Sequence, residues 1–394
     1  FITQISKYIA EFIKKKTKRI VQPSFVKNYI TLYCIATVIN PQFDSQTKEY
    51  VTFDTKTSVP DIPETFLKKL TTSEIVTKIM EDISAKESTK LEKLNTPIKV
   101  KIPKYTHANY AGVYPDKCTL FITEGDSANA MCVHGIETIK KGHDFYGSFP
   151  IRGKILNVRD TSTSAILANA EIQNIIKILN LQMKEKYDLK NGKYIAGNGQ
   201  VLRYSTLAVM SDQDTDGFHI KGLILNFIGY FWPSLLELGF VKTFITPIVN
   251  NSIVFFSLPD IDKFSNLTDL SKLKLKYYKG LGTSNASETK DYFSNLGLHI
   301  IKFAYASPDD FLVIDMAFNK KRADDRKKWI LGEFLGNPQD PDYTHDQQIT
   351  NFVRDELSQY SKDNLERSIP ALTDGLKPSQ RKIIYTAFLK NLTN

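Results

Sequence analysis

Cysteine is scarce, with Cys34, Cys118 and Cys132 the three thiols in 394 residues. The count is odd and no pair has a metal-ligand spacing, so the thiols read as reduced core groups of an intracellular protein. The six histidines form no His-x-x-x-His pair, which argues against zinc a second time. No apolar run approaches the ~18 residues of a membrane span, and no secretory leader is read. Phe1 falls inside a helical pattern, which reads as part of something longer. A Gly-x-x-x-x-Gly-Lys phosphate loop is missing too. What remains is ordinary globular composition, 42% hydrophobic and 24% charged, long enough for several domains. The net charge of +9 suits a polyanionic partner without identifying one.

One stretch organises the rest. Leu207-Ala-Val-Met-Ser runs apolar into Asp212-Gln-Asp214-Thr-Asp216-Gly217, after which the pattern turns helical. The run is too short for a helix and rich in residues that suit a buried strand, so its tip presents three alternating acids. Such carboxylates repel one another unless a hard divalent cation sits between them. An EF-hand loop fails at its twelfth position, where Leu223 replaces the bidentate glutamate. A solvated acidic turn is the plainer alternative.

A second strand tip speaks against that alternative. Thr119-Leu-Phe-Ile-Thr-Glu124-Gly125-Asp126-Ser127 repeats the design, with Gly125 allowing a tight strand-to-helix turn and Asp126 or Ser127 as expected helix N-caps. Parallel neighbouring strands would bring Glu124 beside Asp212, Asp214 and Asp216, where open α/β sheets bind ligands.

The pair resembles the Toprim signature shared by topoisomerases, primases and some nucleases. Three further segments narrow the resemblance: Tyr146-Gly-Ser-Phe-Pro-Ile-Arg152-Gly-Lys154-Ile-Leu-Asn157-Val-Arg159, the Asp212 segment through His219-Ile-Lys221-Gly, and Tyr278-Lys279-Gly280-Leu281-Gly282-Thr283. All are similar to type IIA DNA topoisomerases of eukaryotes and large DNA viruses. Phe218 and Ile151 are small departures, which hint at a divergent member, eukaryotic or viral. The resemblance implies an α/β fold: a Rossmann-like parallel Toprim sheet flanked by helices over residues 104–340. An α+β transducer portion would precede it (1–103) and the start of a winged-helix domain follow it (341–394).

Local patterns fill in the chain. Residues 1–22 read as an amphipathic helix with a basic end, 29–39 as a strand, and Glu64 to Leu94 as a long charged helix. Ser162 to Leu181 reads as one helix, Asp188 to Gln200 as an exposed loop, and Gly217 to Leu238 as a long core helix. Lys242 to Leu258 reads as a hairpin, Lys274 to Thr283 as a strand ending in a Gly-rich turn, and Phe318 to Phe334 as a charged helix. Near the end, Asp374-Gly375 reads as a turn and Pro378 as the start of a helix.

The resemblance also implies roles. Glu124 and Asp212 would hold a catalytic Mg²⁺, Asp212 and Asp214 a second, with Asp216 supporting the cluster and Mn²⁺ or Ca²⁺ as substitutes. Arg152, Lys154, Asn157 and Lys279 would line the DNA break, with Lys377, Arg381 and Lys382 on its phosphates. Gln46 and Lys48 would sense ATP, and Asp126 with Arg152 would lie where cleavage poisons bind. The expected partners are double-stranded DNA and a second copy of the protein. The location would be the nucleus, or a viral replication site. The nucleophilic tyrosine of the family lies beyond this chain, and Arg203-Tyr204 reads as structural. A Toprim nuclease or primase, or a non-catalytic DNA-binding platform, are the rival readings.

Overall fold

The structure is a computed structural model. It describes residues 1–33, 42–43, 51–52, 61–92, 102–246, 248–250, 253–255, 281, 286–339, 341, 343 and 346–392. The expected strand at 29–39, Gln46, Lys48 and Lys279 lie wholly or mostly outside these residues.

Two compact units divide the chain, Phe1–Leu91 and Glu92–Asn394. The first is built on the helix Ile2–Thr17, whose Ile5, Ile9 and Ile13 fall on one buried stripe. That stripe packs with Val26 and Ile79. The charged stretch expected as one helix is two, Glu64–Thr71 and Glu74–Glu92, interrupted at Thr72-Ser73.

The second unit holds a six-stranded sheet. Its strands are β1 (Thr119–Glu124), β2 (Tyr146–Ile151), β3 (Thr206–Met210), β4 (Val241–Phe244), β5 (Ile300–Ala304) and β6 (Gln347–Gln348). They lie in the order β6-β5-β4-β3-β1-β2. All pairs are parallel except β4 with β5. Every residue of β3 is buried, as expected of a strand covered on both faces.

Helices α1 (Gly125–Thr138), α2 (Thr215–Phe231) and α3 (Ala286–Ser294) cover the sheet, and α4 (Asp309–Phe318), α5 (Ala323–Ile330), α6 (Ser358–Ser368) and α7 (Pro378–Leu389) follow. Phe121, Met131, Cys132, Ala208, Phe244 and Phe293 share one core. At Gly135 a Cβ would lie 2.2 Å from the Phe293 ring, so glycine is what lets α1 and α3 approach.

Several expectations need correction. Helix α2 begins at Thr215 and ends before Trp232; Pro233 opens the separate short helix Pro233–Glu237. The Ser162–Leu181 stretch is two helices, Thr163–Ala168 and Ala170–Leu179, because Asn169 caps the second through its side chain. The expected loop at Asp188 to Gln200 is an antiparallel hairpin, Tyr187–Lys190 with Lys193–Ala196. Asn191 and Gly192 turn it with φ of 50° and 73°. Of the expected 242–258 hairpin, Val241–Phe244 belongs to the sheet instead, and the described strands Ile248–Asn250 and Ile253–Phe255 pair antiparallel. Phe318 to Phe334 is a 3₁₀ turn and α5 rather than one helix.

Before α6 the chain winds as a π-helix over Val353–Leu357, continuous with α6. Proline at the first turn of α7 fits expectation, and Gly375 takes a left-handed φ of 67° in the turn before it. No residue of α7 is buried.

Candidate metal centre

Strands β1 and β3 run side by side in register, with Thr123 opposite Met210. Their tips therefore project the acids from the C-terminal ends of two interior strands. Glu124 and Asp212 meet there: the Asp212 amide donates to Glu124 Oε2 at 3.4 Å. β1 passes directly into α1, β3 reaches α2 through a short turn, and Glu124 and Asp214 are the N-cap residues of α1 and α2. Asp214 Oδ1 accepts from the Gly217 amide at 2.9 Å. The partial positive charge at two helix N-termini thus faces the acids and lessens their repulsion. Gly125, with φ of 77°, makes the first turn; Asp126 and Ser127, expected as caps, lie inside α1. Gly217 makes the second, since a Cβ there would lie 1.9 Å from the Asp212 carbonyl oxygen.

Glu124 is half-buried, like the other acids of the cluster. Burial raises its pKa first, and the charges of Asp212, Asp214 and Asp216 raise it further, against the lowering effect of the Asp212 amide. Asp212 Oδ1 accepts from the Leu281 amide at 2.8 Å, which ties the Gly-rich Lys279–Thr283 motif to this strand tip through its one described residue.

Asp216 faces a different group. Its Oδ1 accepts from Lys154 Nζ at 2.7 Å and from Arg367 at 2.6 Å, and its Oδ2 from Arg367 at 2.8 Å. Hydrogen bonds from Arg367 hold the Asp216 carboxyl far below the usual carboxylate range, with Lys154 acting in the same direction. Lys154 and Arg367 also lie over the ring of Tyr360, at 4.3 Å and 5.8 Å. His219 stacks on that ring at 3.9 Å, and burial pushes its pKa down to about 3, so it stands neutral.

Behind the acids is a buried ion pair. Lys221 on α2 and Glu356 in the π-turn are both fully buried, 3.8 Å apart. Lys221 Nζ donates to Gln213 Oε1 at 3.0 Å, between Asp212 and Asp214 in sequence. Gln347 donates to Glu356 Oε1. Burial lowers the pKa of Lys221 and raises that of Glu356.

Among the described residues no three carboxylate, imidazole or thiolate groups converge closely enough to hold an ion. Asp214 is turned to its helix and Asp216 to Lys154 and Arg367. The donor set still fits a hard divalent cation: every candidate is a carboxylate, and the mutual charge that burdens Glu124 is what a cation would relieve. Glu124, Asp212 and Asp214 are the residues that would hold it.

The remaining expected residues are dispersed. Arg152 is exposed beside the site, on the turn made by Gly153 with φ of 72°. Asn157 is engaged internally, donating to the Phe318 carbonyl and accepting from Asn226. Asp126 accepts from Lys104 at 2.5 Å. Arg381 forks onto Asp374 at the surface, where Lys382 is also exposed, and Lys377 is the N-cap residue of α7. Tyr204 is buried, shares a 2.6 Å hydrogen bond with the Tyr105 hydroxyl, and is a packing residue. Sequence reasoning missed Arg367, Tyr360, His219 and the Lys221–Glu356 pair. For Arg367 the only available signal was a basic residue close to Pro370.

Comparison with known proteins points the same way as the site. A family profile described as the C-terminal associated domain of TOPRIM matches residues 244–365. DNA topoisomerase 2-beta of Homo sapiens is 43% identical over 99% of this chain. Over nearly its whole length the chain is similar to type II DNA topoisomerases. Among these relatives, DNA topoisomerase 2-alpha of Homo sapiens is 42% identical over 98% of the chain. The chain spans about a quarter of their length, 25% and 26%. The crystal structure of the Plasmodium falciparum topoisomerase II DNA-binding, cleavage and re-ligation domain superposes with a TM-score of 0.64 at 44% identity, covering 76% of this chain and 40% of that one. The mostly parallel sheet flanked by helices agrees with that match.

Proposed function

We propose that the chain supplies the metal-binding half of the DNA-cleavage site of an ATP-dependent type II topoisomerase, which breaks one duplex transiently and passes another through it. The observation that carries this is the convergence, at the C-terminal end of the sheet, of Glu124 with Asp212 and, beside them, of Lys154 and Arg367 on Asp216. Acids for a cation and cations for a phosphate stand next to each other.

Glu124 and Asp212 would hold a catalytic Mg²⁺, which would supply charge stabilisation for the displaced 3′-oxygen, and Asp212 with Asp214 a second. The chain's own groups do the rest. Lys154 and Arg367 hold the phosphate backbone, joined by the exposed Arg152 and by Lys279, Lys377, Arg381 and Lys382. Glu124, whose burial raises its proton affinity, is suited to exchange a proton with that oxygen. Lys221 fixes Gln213 and so the loop between Asp212 and Asp214. The nucleophilic tyrosine belongs to a segment outside this chain.

The finer assignments belong to the same reading. Residues 1–103 form the end of a transducer, with Gln46 and Lys48 sensing ATP; 104–340 form the Toprim domain and 341–394 the start of a winged-helix domain. The working unit is a homodimer on double-stranded DNA, in the nucleus or at a viral replication site. Asp126 and Arg152 line the site of cleavage poisons.

The test is relaxation of supercoiled circular DNA by the full-length protein, with and without ATP. Linking-number changes in steps of two that require ATP are expected. Linear DNA with free 5′ ends would instead establish a nuclease.

A further inference from the structure

Lys154 and Arg367 come from segments far apart in the chain, yet both place a donor on the same oxygen of Asp216, at 2.7 Å and 2.6 Å. Two like charges in contact with one carboxylate repel each other, and Asp216 alone leaves the trio with an excess of one positive charge. A second negative surface lies close by. The ring of Tyr360 has Lys154 Nζ 4.3 Å and Arg367 Cζ 5.8 Å from its centroid, within the range in which the electron-rich face of an aromatic ring attracts a cation. Tyr360 and Arg367 are seven residues apart on α6, two helical turns, so both lie on one face of that helix.

The ring is itself fixed. His219 stacks on it at 3.9 Å and 13°, and Phe318 lies parallel to His219 at 6.1 Å and 5°. Burial keeps His219 neutral, so no third positive charge enters the stack. The cations keep donors to spare: a lysine has three N–H groups and an arginine five.

We propose that Tyr360 is a positioning residue whose ring, with Asp216, holds Lys154 and Arg367 side by side as one binding pair for the phosphodiester of duplex DNA. The inference rests on the functional reading above and adds to it a residue that touches neither metal nor substrate. It acts through the two cations.

The test measures binding of a labelled duplex to the full-length protein across a range of salt. Each phosphate contact adds about 0.9 to the slope of log affinity against log salt. Tyr360→Phe keeps the ring and loses only the hydroxyl's hydrogen bond with Arg367, so it should keep most of the wild-type slope. Tyr360→Leu loses the ring and should flatten the slope by about one to two units, with an unchanged melting temperature. In Lys154→Ala/Tyr360→Leu the two losses should add to less than their sum, because Tyr360 acts through Lys154. Should Tyr360→Leu melt early, Tyr360→Met repeats the test. A wild-type slope in Tyr360→Leu, or an equal loss in Tyr360→Phe, overturns the inference alone. A wild-type protein that binds no duplex overturns the functional reading and this inference with it.

Discussion

Replacing Lys221 by methionine removes the cation from a pair whose two side chains are both fully buried, and leaves the Glu356 carboxylate inside the protein without it. Taking one partner from a buried pair costs about 3–5 kcal/mol, since the surviving charge has lost its compensation and cannot reach water. For the unit Glu92–Asn394 that corresponds to a fall in melting temperature of roughly 5 to 8 °C. Glu356 already has a pKa raised by burial, and without Lys221 it escapes part of the penalty by taking up a proton. The destabilisation should therefore be smaller at pH 5 than at pH 8. The double variant Lys221→Met/Glu356→Leu removes both charges, and most of the stability should return, because burying the pair is close to neutral overall. Thermal melts by circular dichroism at the two pH values read all of this. A Lys221→Met protein melting within about 2 °C of wild type, or a double variant less stable than the single one, would refute the reasoning.

Further outcomes follow from the same site. Gly217→Ala sets a Cβ 1.9 Å from the Asp212 carbonyl, so the turn must shift; divalent-ion affinity should fall at least tenfold, about 1.4 kcal/mol, by calorimetric titration. His219 has its pKa lowered from 6.5 to about 3, so the unfolded chain takes up its proton first and the stability it contributes is lost as pH falls from 6.5 towards 3. Denaturant titrations from pH 7 to pH 4 should show up to about 1.4 kcal/mol per pH unit of that loss, absent in His219→Phe. Glu124 has a raised pKa, so its contribution is present below 4.5 and lost as pH rises through the raised value. Glu124→Gln should melt higher than wild type in chelator at pH 7, the gap closing below pH 4.5. Saturating Mg²⁺ should reverse the order, adding about 2.7 kcal/mol to wild type at a hundredfold excess over Kd.

What could be read from the sequence was local. An apolar run ending in Glu124, another ending in Asp212, and glycines at positions 125 and 217 fix two strand-to-helix turns without knowledge of the rest of the chain. Parallel pairing of those strands followed from the α/β pattern, and their register places the acids together. Arg367 was illegible because its partner Asp216 is 151 residues away, and no periodicity encodes such a contact. Tyr360 and the Lys221–Glu356 pair were hidden for the same reason, and a π-turn has no spacing signal that distinguishes it from an α-helix. The 188–200 segment is different. Asn191-Gly192 is a strong hairpin-turn signal, and reading the stretch by its polar composition overlooked it. Asn169 likewise announced a helix start inside what read as one helix.

The central claim is that the acids at the tips of β1 and β3 hold a divalent cation for work on DNA. Titrating Mn²⁺ into the full-length protein, and following free ion by electron paramagnetic resonance with and without a short duplex, tests it most directly. Saturable binding that tightens with DNA, and falls at least tenfold in Glu124→Gln and Asp212→Asn, is the predicted result. Unchanged binding in both variants would contradict the account.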